Sequence, residues 1–194
     1  MATRSLAPLV ALAAIAVAGC GDGDDPVEGA GYTYSVPDGW RDVSDDADDA
    51  IDIAGMRPDS LVAGDAEDGV APDVNVIREG GLPPGVTTGQ YAEVSLAGLQ
   101  DPAAAGLPPE LVDIVGQLDP HDFSEPSDSE LDGEDAVVWE FSGKSQDGGD
   151  TRVRQVTAVH DGSAYTLTLT VRPDRFDEET DALDEVVDSW EWEE

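Results

Sequence analysis

"TRVRQVTAVHDGSAYTLTLTV", residues 151–171, is the stretch whose reading decides the fold. Its second half alternates, with Tyr165, Leu167, Leu169 and Val171 on one face and Thr166, Thr168 and Thr170 on the other. A period of two in β-branched and aromatic residues is the pattern of a strand. The first half, "TRVRQVTAV", is a second strand with weaker alternation. "HDGS" joins them, and its Asp-Gly pair allows the positive φ that a tight hairpin demands. Upstream, "AVVWEF" sets Val137, Trp139 and Phe141 on one face, and "QDGGD" supplies another Asp-Gly turn. Three consecutive antiparallel strands are therefore expected.

Working outward, "YTYSV" alternates and is stopped by "PDGW", where Pro37, Asp38 and Gly39 make a turn. "DVNVI" is a short strand carrying Val74 and Val76. Residues 42 to 71 are acidic and ambiguous, with one strand expected near Ile51 to Met56. Two helices follow. Thr87 with Gln90 forms a capping box, and Val86 against Tyr91 its hydrophobic staple. "PPELVDIVGQL" has proline in its first turn and repeats Leu111, Ile114, Val115 and Leu118 at helical spacing. A last helix opens at Asp177-Glu178-Glu179, where acids favour the positive end of the dipole, and its apolar face is Leu183, Val186, Val187 and Trp190. Strands, helices, a run of hairpin strands and a final helix make an α+β order rather than alternating βα units.

The N-terminus reads as an address. Arg4 precedes an apolar stretch, Leu6 to Ala18, of 13 residues. As a helix it reaches about 20 Å, short of the roughly 30 Å hydrocarbon core of a bilayer. It has instead the length and flanks of a signal-peptide core. Val17-Ala18-Gly19 supplies the small residues of a cleavage site, directly before the single cysteine, Cys20. These residues resemble the lipobox of bacterial lipoproteins, and the resemblance implies cleavage before Cys20 and diacylation of its thiol. A free thiol or an intermolecular disulfide are the other readings of Cys20. The expected organisation is a signal peptide over 1–19, a flexible acidic tether over 20–31, and one α+β domain over 32–194. With Cys20 consumed, no thiol remains for catalysis, metal or a structural disulfide.

Charge narrows the function classes. Only 9 Lys and Arg stand against 44 Asp and Glu, giving a formal net charge of −35. Nucleic acid is excluded as a partner, because phosphate binding needs clustered cations. Anionic headgroups would be repelled as well, so a lipid anchor rather than the protein surface must hold the chain at a membrane.

"YSVPDGW", "VNVIRE", "TTGQYAE", "ELDGEDAVVWEF", "DGSAYTLTLT" and "LDEVVDSWEW", in this order, resemble the PsbP-like fold, and within it the LpqN-type lipoproteins of the actinobacterial envelope. The similarity runs over residues 32 to 192 and is poorest across 42 to 71. It implies an antiparallel sheet flanked by helices on both faces, a PsbP-like α/β/α sandwich. It also implies a non-catalytic accessory or binding role, and it supplies no set of functional residues to carry over.

The chemistry of catalysis is sparse. No G-x-S-x-G elbow is present, and His121 and His160 are the only histidines. His160 lies in a hairpin turn and His121 at a strand entrance, so both read as surface residues. "GDGDDPVEG" is rich in glycine but carries the wrong sign to cradle a phosphate. Asp128-x-Glu130-x-Asp132-Gly133 resembles the first half of an EF-hand loop, but its twelfth position is Trp139 instead of a bidentate acid. Clustered aspartates at "SDDADDAID" could attract a hard cation. Arg152 and Arg154 share a strand face, where salt bridges or an anion are both open. Trp40 and Trp139 read as core, Trp190 as packed on the sheet, and Trp192 as an exposed residue able to meet a partner.

The expectation is a lipid-anchored protein of the extracytoplasmic face of the cell membrane, without catalytic residues, cofactor or assigned metal site. Its α+β domain would bind a protein partner. The alternatives are a carrier of an apolar envelope lipid or glycolipid, and a calcium-associated acidic surface protein. Candidate binding surfaces are the loops at 42 to 71 and 100 to 109.

Overall fold

The computed structural model describes residues 26–46, 57–66, 71–145 and 148–193. The leader, Cys20 and the strand expected at Ile51–Met56 lie outside these residues. The hairpin strands are the centre of a seven-stranded antiparallel sheet ordered β3-β4-β5-β9-β8-β7-β6. Its strands are β3 (Arg41–Asp42), β4 (Ser60–Ala63), β5 (Asp73–Gly80), β6 (Ser127–Leu131), β7 (Glu134–Lys144), β8 (Asp150–His160) and β9 (Ser163–Val171). The expected β7–β8–β9 run is present, and in two tight hairpins, β8–β9 and β6–β7, an Asp-Gly pair takes positive φ; Asp147 of the turn expected at QDGGD lies outside the described residues. The values are 45° and 72° at Asp161-Gly162, and 43° and 80° at Asp132-Gly133.

Between β5 and β6 the chain crosses one face as two helices, α1 (Thr88–Gln100) and α2 (Pro109–Leu118). The capping box at the start of α1 is formed in both directions, with Gln90 N donating to Thr87 Oγ1 and Thr87 N to Gln90 Oε1. Ala92, Leu99, Val115 and Leu118 pack on Trp139, Phe141 and Val153. The other face carries α3 (Phe176–Asp188), whose Leu183 and Val186 join Val156, Leu167, Leu169 and Val171. Helices thus cover both faces of an antiparallel sheet: the element order implied the α+β class, and the resemblance implied the sandwich.

The folded part begins earlier than the sequence suggested. Val27–Gly29, assigned above to the flexible segment, is a strand (β1) paired in register with β2 (Tyr32–Tyr34), and Val27 is 2% exposed. Its single apolar residue among Gly, Asp and Glu gave no periodicity to read. A third strand, β10 (Glu191–Trp192), completes a small sheet, β1-β2-β10. An aromatic stack seats it on the main sheet. Trp190 lies 4.1 Å from Tyr32 at 13° and 5.7 Å from Tyr34 at 3°, and both phenols hydrogen bond to Ser60 Oγ. Burial holds both phenol pKa values above the ordinary range.

Candidate functional site

The aromatic stack has one end at the surface, and the candidate site lies there. An open recess of about 360 Å³ forms where the β1–β2 turn, β5, the β8–β9 hairpin and the residue after β10 converge. Its walls are Ala30, Gly31, Arg78, His160, Asp161, Tyr165 and Glu193. A volume of this size is at the lower end of small-ligand pockets, roughly 300–1,000 Å³.

Tyr165 is the floor. Its ring is 3% exposed, and its hydroxyl donates to Ala30 O at 3.1 Å while accepting from Arg78 Nε at 3.2 Å. Arg78 Nη2 donates to Ser163 Oγ at 3.2 Å, and the guanidinium carbon sits 5.9 Å from the Tyr165 ring centroid. Two neutral hydroxyls therefore fix this guanidinium over an aromatic face. The contrast with the other arginines is informative. Arg41, Arg152, Arg154, Arg172 and Arg175 each face a carboxylate, namely Asp65, Glu140, Asp184, Asp174 and Glu178. In a chain with 44 acidic residues, an exposed arginine held only by hydroxyls keeps N–H donors for something else.

His160 closes the opposite wall. Its ring stacks on Trp192 at 4.3 Å and 4°, and its Nδ1 lies 3.2 Å from Glu134 Oε1. It is half-buried rather than an open turn residue, because Trp192 folds back over the hairpin. Trp192, expected to be exposed, is itself half-buried and donates from Nε1 to Leu131 O at 3.2 Å. Ser163 is the register partner of His160, but its hydroxyl is engaged by Arg78. No hydrogen bond joins His160 to Ser163, so the geometry does not couple a base to a hydroxyl nucleophile. The recess can bind: it offers a cationic fork, the exposed carboxylate of Asp161 and two aromatic walls.

The remaining sequence candidates are placed as follows. His121 bridges to Ser142 with a side chain about half exposed, 49%, far along β7 from the recess. Asp128, Glu130 and Asp132 lie on β6 and its hairpin to β7, where Asp132 accepts from Trp192 N at 2.8 Å; this segment is a hairpin, not a calcium loop. Among the described residues no group of three or more Asp, Glu, His or Cys could hold a metal ion. Arg152 and Arg154 are in salt bridges. Loop 101–107 is closed on itself, with Ala104 N donating to Asp101 Oδ1 and Leu107 N to Pro102 O. The sheet face opposite α3, where an apolar cargo would sit, is polar over β5, β8 and β9: Asp73, Asn75, Gln155, Thr166 and Thr168 are all buried there. Displacing the Gln155–Thr168 and Thr157–Thr166 hydrogen bonds with an apolar ligand would leave those groups unsatisfied.

Arg78 was not legible as a site residue. One signal existed: "VNVIREG" ends an apolar strand on a lone arginine beside Glu79. Nothing in the sequence places Ser163, Tyr165 and Ala30 around it.

Comparison with solved structures identifies the fold. The chain is similar to the cyanobacterial PsbP protein (CyanoP) of Synechocystis sp. PCC 6803, with a TM-score of 0.57 at 16% identity over 91% of this chain and 96% of that one. It is also similar to LpqN of Mycobacterium tuberculosis, described as involved in cell envelope biogenesis, with a TM-score of 0.53 at 18% identity over 86% of this chain and 88% of that one. The fold is PsbP-like. No family model and no curated protein matches the sequence. No helix among the described residues is long and apolar enough to cross a membrane.

Proposed function

We propose that the chain is a lipid-anchored lipoprotein of the cell envelope, whose PsbP-like domain is a non-catalytic accessory module that binds a protein partner at the outer face of the membrane. The observation that carries the binding role is Arg78, presented over Tyr165 in an open recess and in no salt bridge among the described residues. A partner side chain or chain end bearing a carboxylate would complete its fork, and the rim carboxylate of Asp161 would select a basic neighbour beside it. The PsbP-like fold of an envelope protein, LpqN, supports the location. So does the pairing of an apolar stretch too short to span a bilayer with Cys20.

The acyl chains on Cys20 would hold the domain near the bilayer, raising its effective concentration toward partners there, and the acidic segment would keep it mobile. The test is growth with a labelled fatty acid. The wild-type chain is expected to carry the label and sediment with membranes, and the Cys20→Ser chain to lose both. A Cys20→Ser chain still in the membrane fraction would overturn the anchor.

A further inference from the structure

The sheet face opposite α3 holds a buried polar group that the recess does not use. Asp73 opens β5 and is completely buried, at 0% exposure. Its register partner across β5–β9 is Thr170, at 2% exposure, and Asn75 lies two residues along on the same face, also at 0%. Asn75 Nδ2 donates to Asp73 Oδ1 at 3.2 Å, which draws the carboxylate and the carboxamide together. Three oxygens of this group then have no hydrogen-bond partner: Asp73 Oδ2, Asn75 Oδ1 and Thr170 Oγ1. Asn75 is the one side-chain partner Asp73 has, and none of the salt bridges of the described residues involves it.

Three oxygens and one negative charge set the chemistry of what fits. A water would satisfy the oxygens but leave a buried charge uncompensated, at a cost of several kcal/mol by order of magnitude. A proton on Asp73 would remove the charge but supply a single hydrogen. A cation does both, because carboxylate, carboxamide and hydroxyl oxygens are all hard ligands. Net charge chooses its valence. One carboxylate balances a monovalent ion, whereas a divalent ion would leave a positive charge in the same buried space.

We propose that Asp73 Oδ2, Asn75 Oδ1 and Thr170 Oγ1 form an internal site for a monovalent metal cation, sodium or potassium, on the buried sheet face opposite α3. The site stands apart from the Arg78 recess and does not depend on the function assigned to it. Its role is to neutralise a charge that the fold buries, which couples the stability of the central β5–β9 pair to the identity of the surrounding salt.

The test compares thermal unfolding midpoints of the full-length protein in sodium, potassium and choline chloride at matched pH and ionic strength. Matching removes general screening of the acidic surface, which treats the three salts alike. Sodium or potassium at about tenfold over its dissociation constant is expected to raise the midpoint by roughly 3–6 °C over choline, with saturation. Asp73→Asn should abolish the difference between salts. Thr170→Val keeps the charge and the shape but deletes one ligand oxygen, and is expected to weaken the apparent affinity several-fold. Equal midpoints in all three salts for the wild type would overturn the proposal. An unchanged sodium or potassium curve in Thr170→Val would overturn it as well, even if Asp73→Asn fails to fold.

Discussion

Replacing Trp190 with alanine tests how the two sheets are joined. Trp190 is 3% exposed and packs face to face with Tyr32 and Tyr34, while the edges of Tyr165 and Trp192 approach it at 6.4 and 5.2 Å. It is thus the contact through which β1, β2 and β10 lean on β9. Removing a buried aromatic of this size costs about 3–5 kcal/mol, from lost transfer energy and the cavity left behind. For a domain of this length, about 2–4 °C per kcal/mol places the midpoint roughly 6–20 °C lower. Trp190→Phe is the control, because it retains a ring against Tyr32 and removes the buried Nε1, which has no hydrogen-bond partner. It should lose about 1.5 kcal/mol or less. Urea titrations followed by far-UV circular dichroism report both values, with an unchanged slope showing that only stability has moved. If Trp190→Ala loses less than about 1 kcal/mol at an unchanged slope, the small sheet is not fastened by this stack, and the reasoning fails.

Burial raises the carboxyl of Asp73 well above its ordinary value, outweighing the hydrogen bond from Asn75 that lowers it. The native state then binds more protons than the unfolded chain above pH about 4, so this contribution is full below that pH and is lost as pH rises through the raised value. In choline-based buffer the stability of wild type relative to Asp73→Asn should fall steadily from pH about 4 upward, by up to about 1.4 kcal/mol per pH unit, as read from urea midpoints. A flat difference would show that Asp73 is not buried. Thr87→Ala deletes the cap of α1 and should cost about 1 kcal/mol, measured the same way, with Thr87→Gly losing less.

The legible parts of the fold are those in which a local pattern has one structural meaning. Alternation in β9, the Asp161-Gly162 pair and the Thr87 capping box each specify a conformation by themselves, and each is present. What escaped notice depends on distant partners. Val27 becomes a strand because Tyr34 lies opposite it, and Glu191–Trp192 because Tyr32 and Thr33 do. β4, only Ser60–Ala63, is too short for a period to show inside an acidic stretch. The binding recess is harder still to read. Its arginine, tyrosine, histidine and hairpin serine come from separate strands, and its meaning lies in what Arg78 lacks, which only the three-dimensional arrangement reveals. The threonines of β9 carry a related lesson. Alternation suggests a polar outer face, yet Thr166, Thr168 and Thr170 are all buried, two of them satisfied by Thr157 and Gln155.

The measurement that tests the central claim most directly is photo-crosslinking in intact cells. The photoreactive residue would replace Glu193, which is exposed on the rim of the recess and has no assigned part in binding. A discrete adduct with an envelope protein is predicted, lost when Arg78→Gln is introduced although that chain remains folded and anchored. An adduct that survives Arg78→Gln unchanged, or no adduct from this rim at all, would contradict the account.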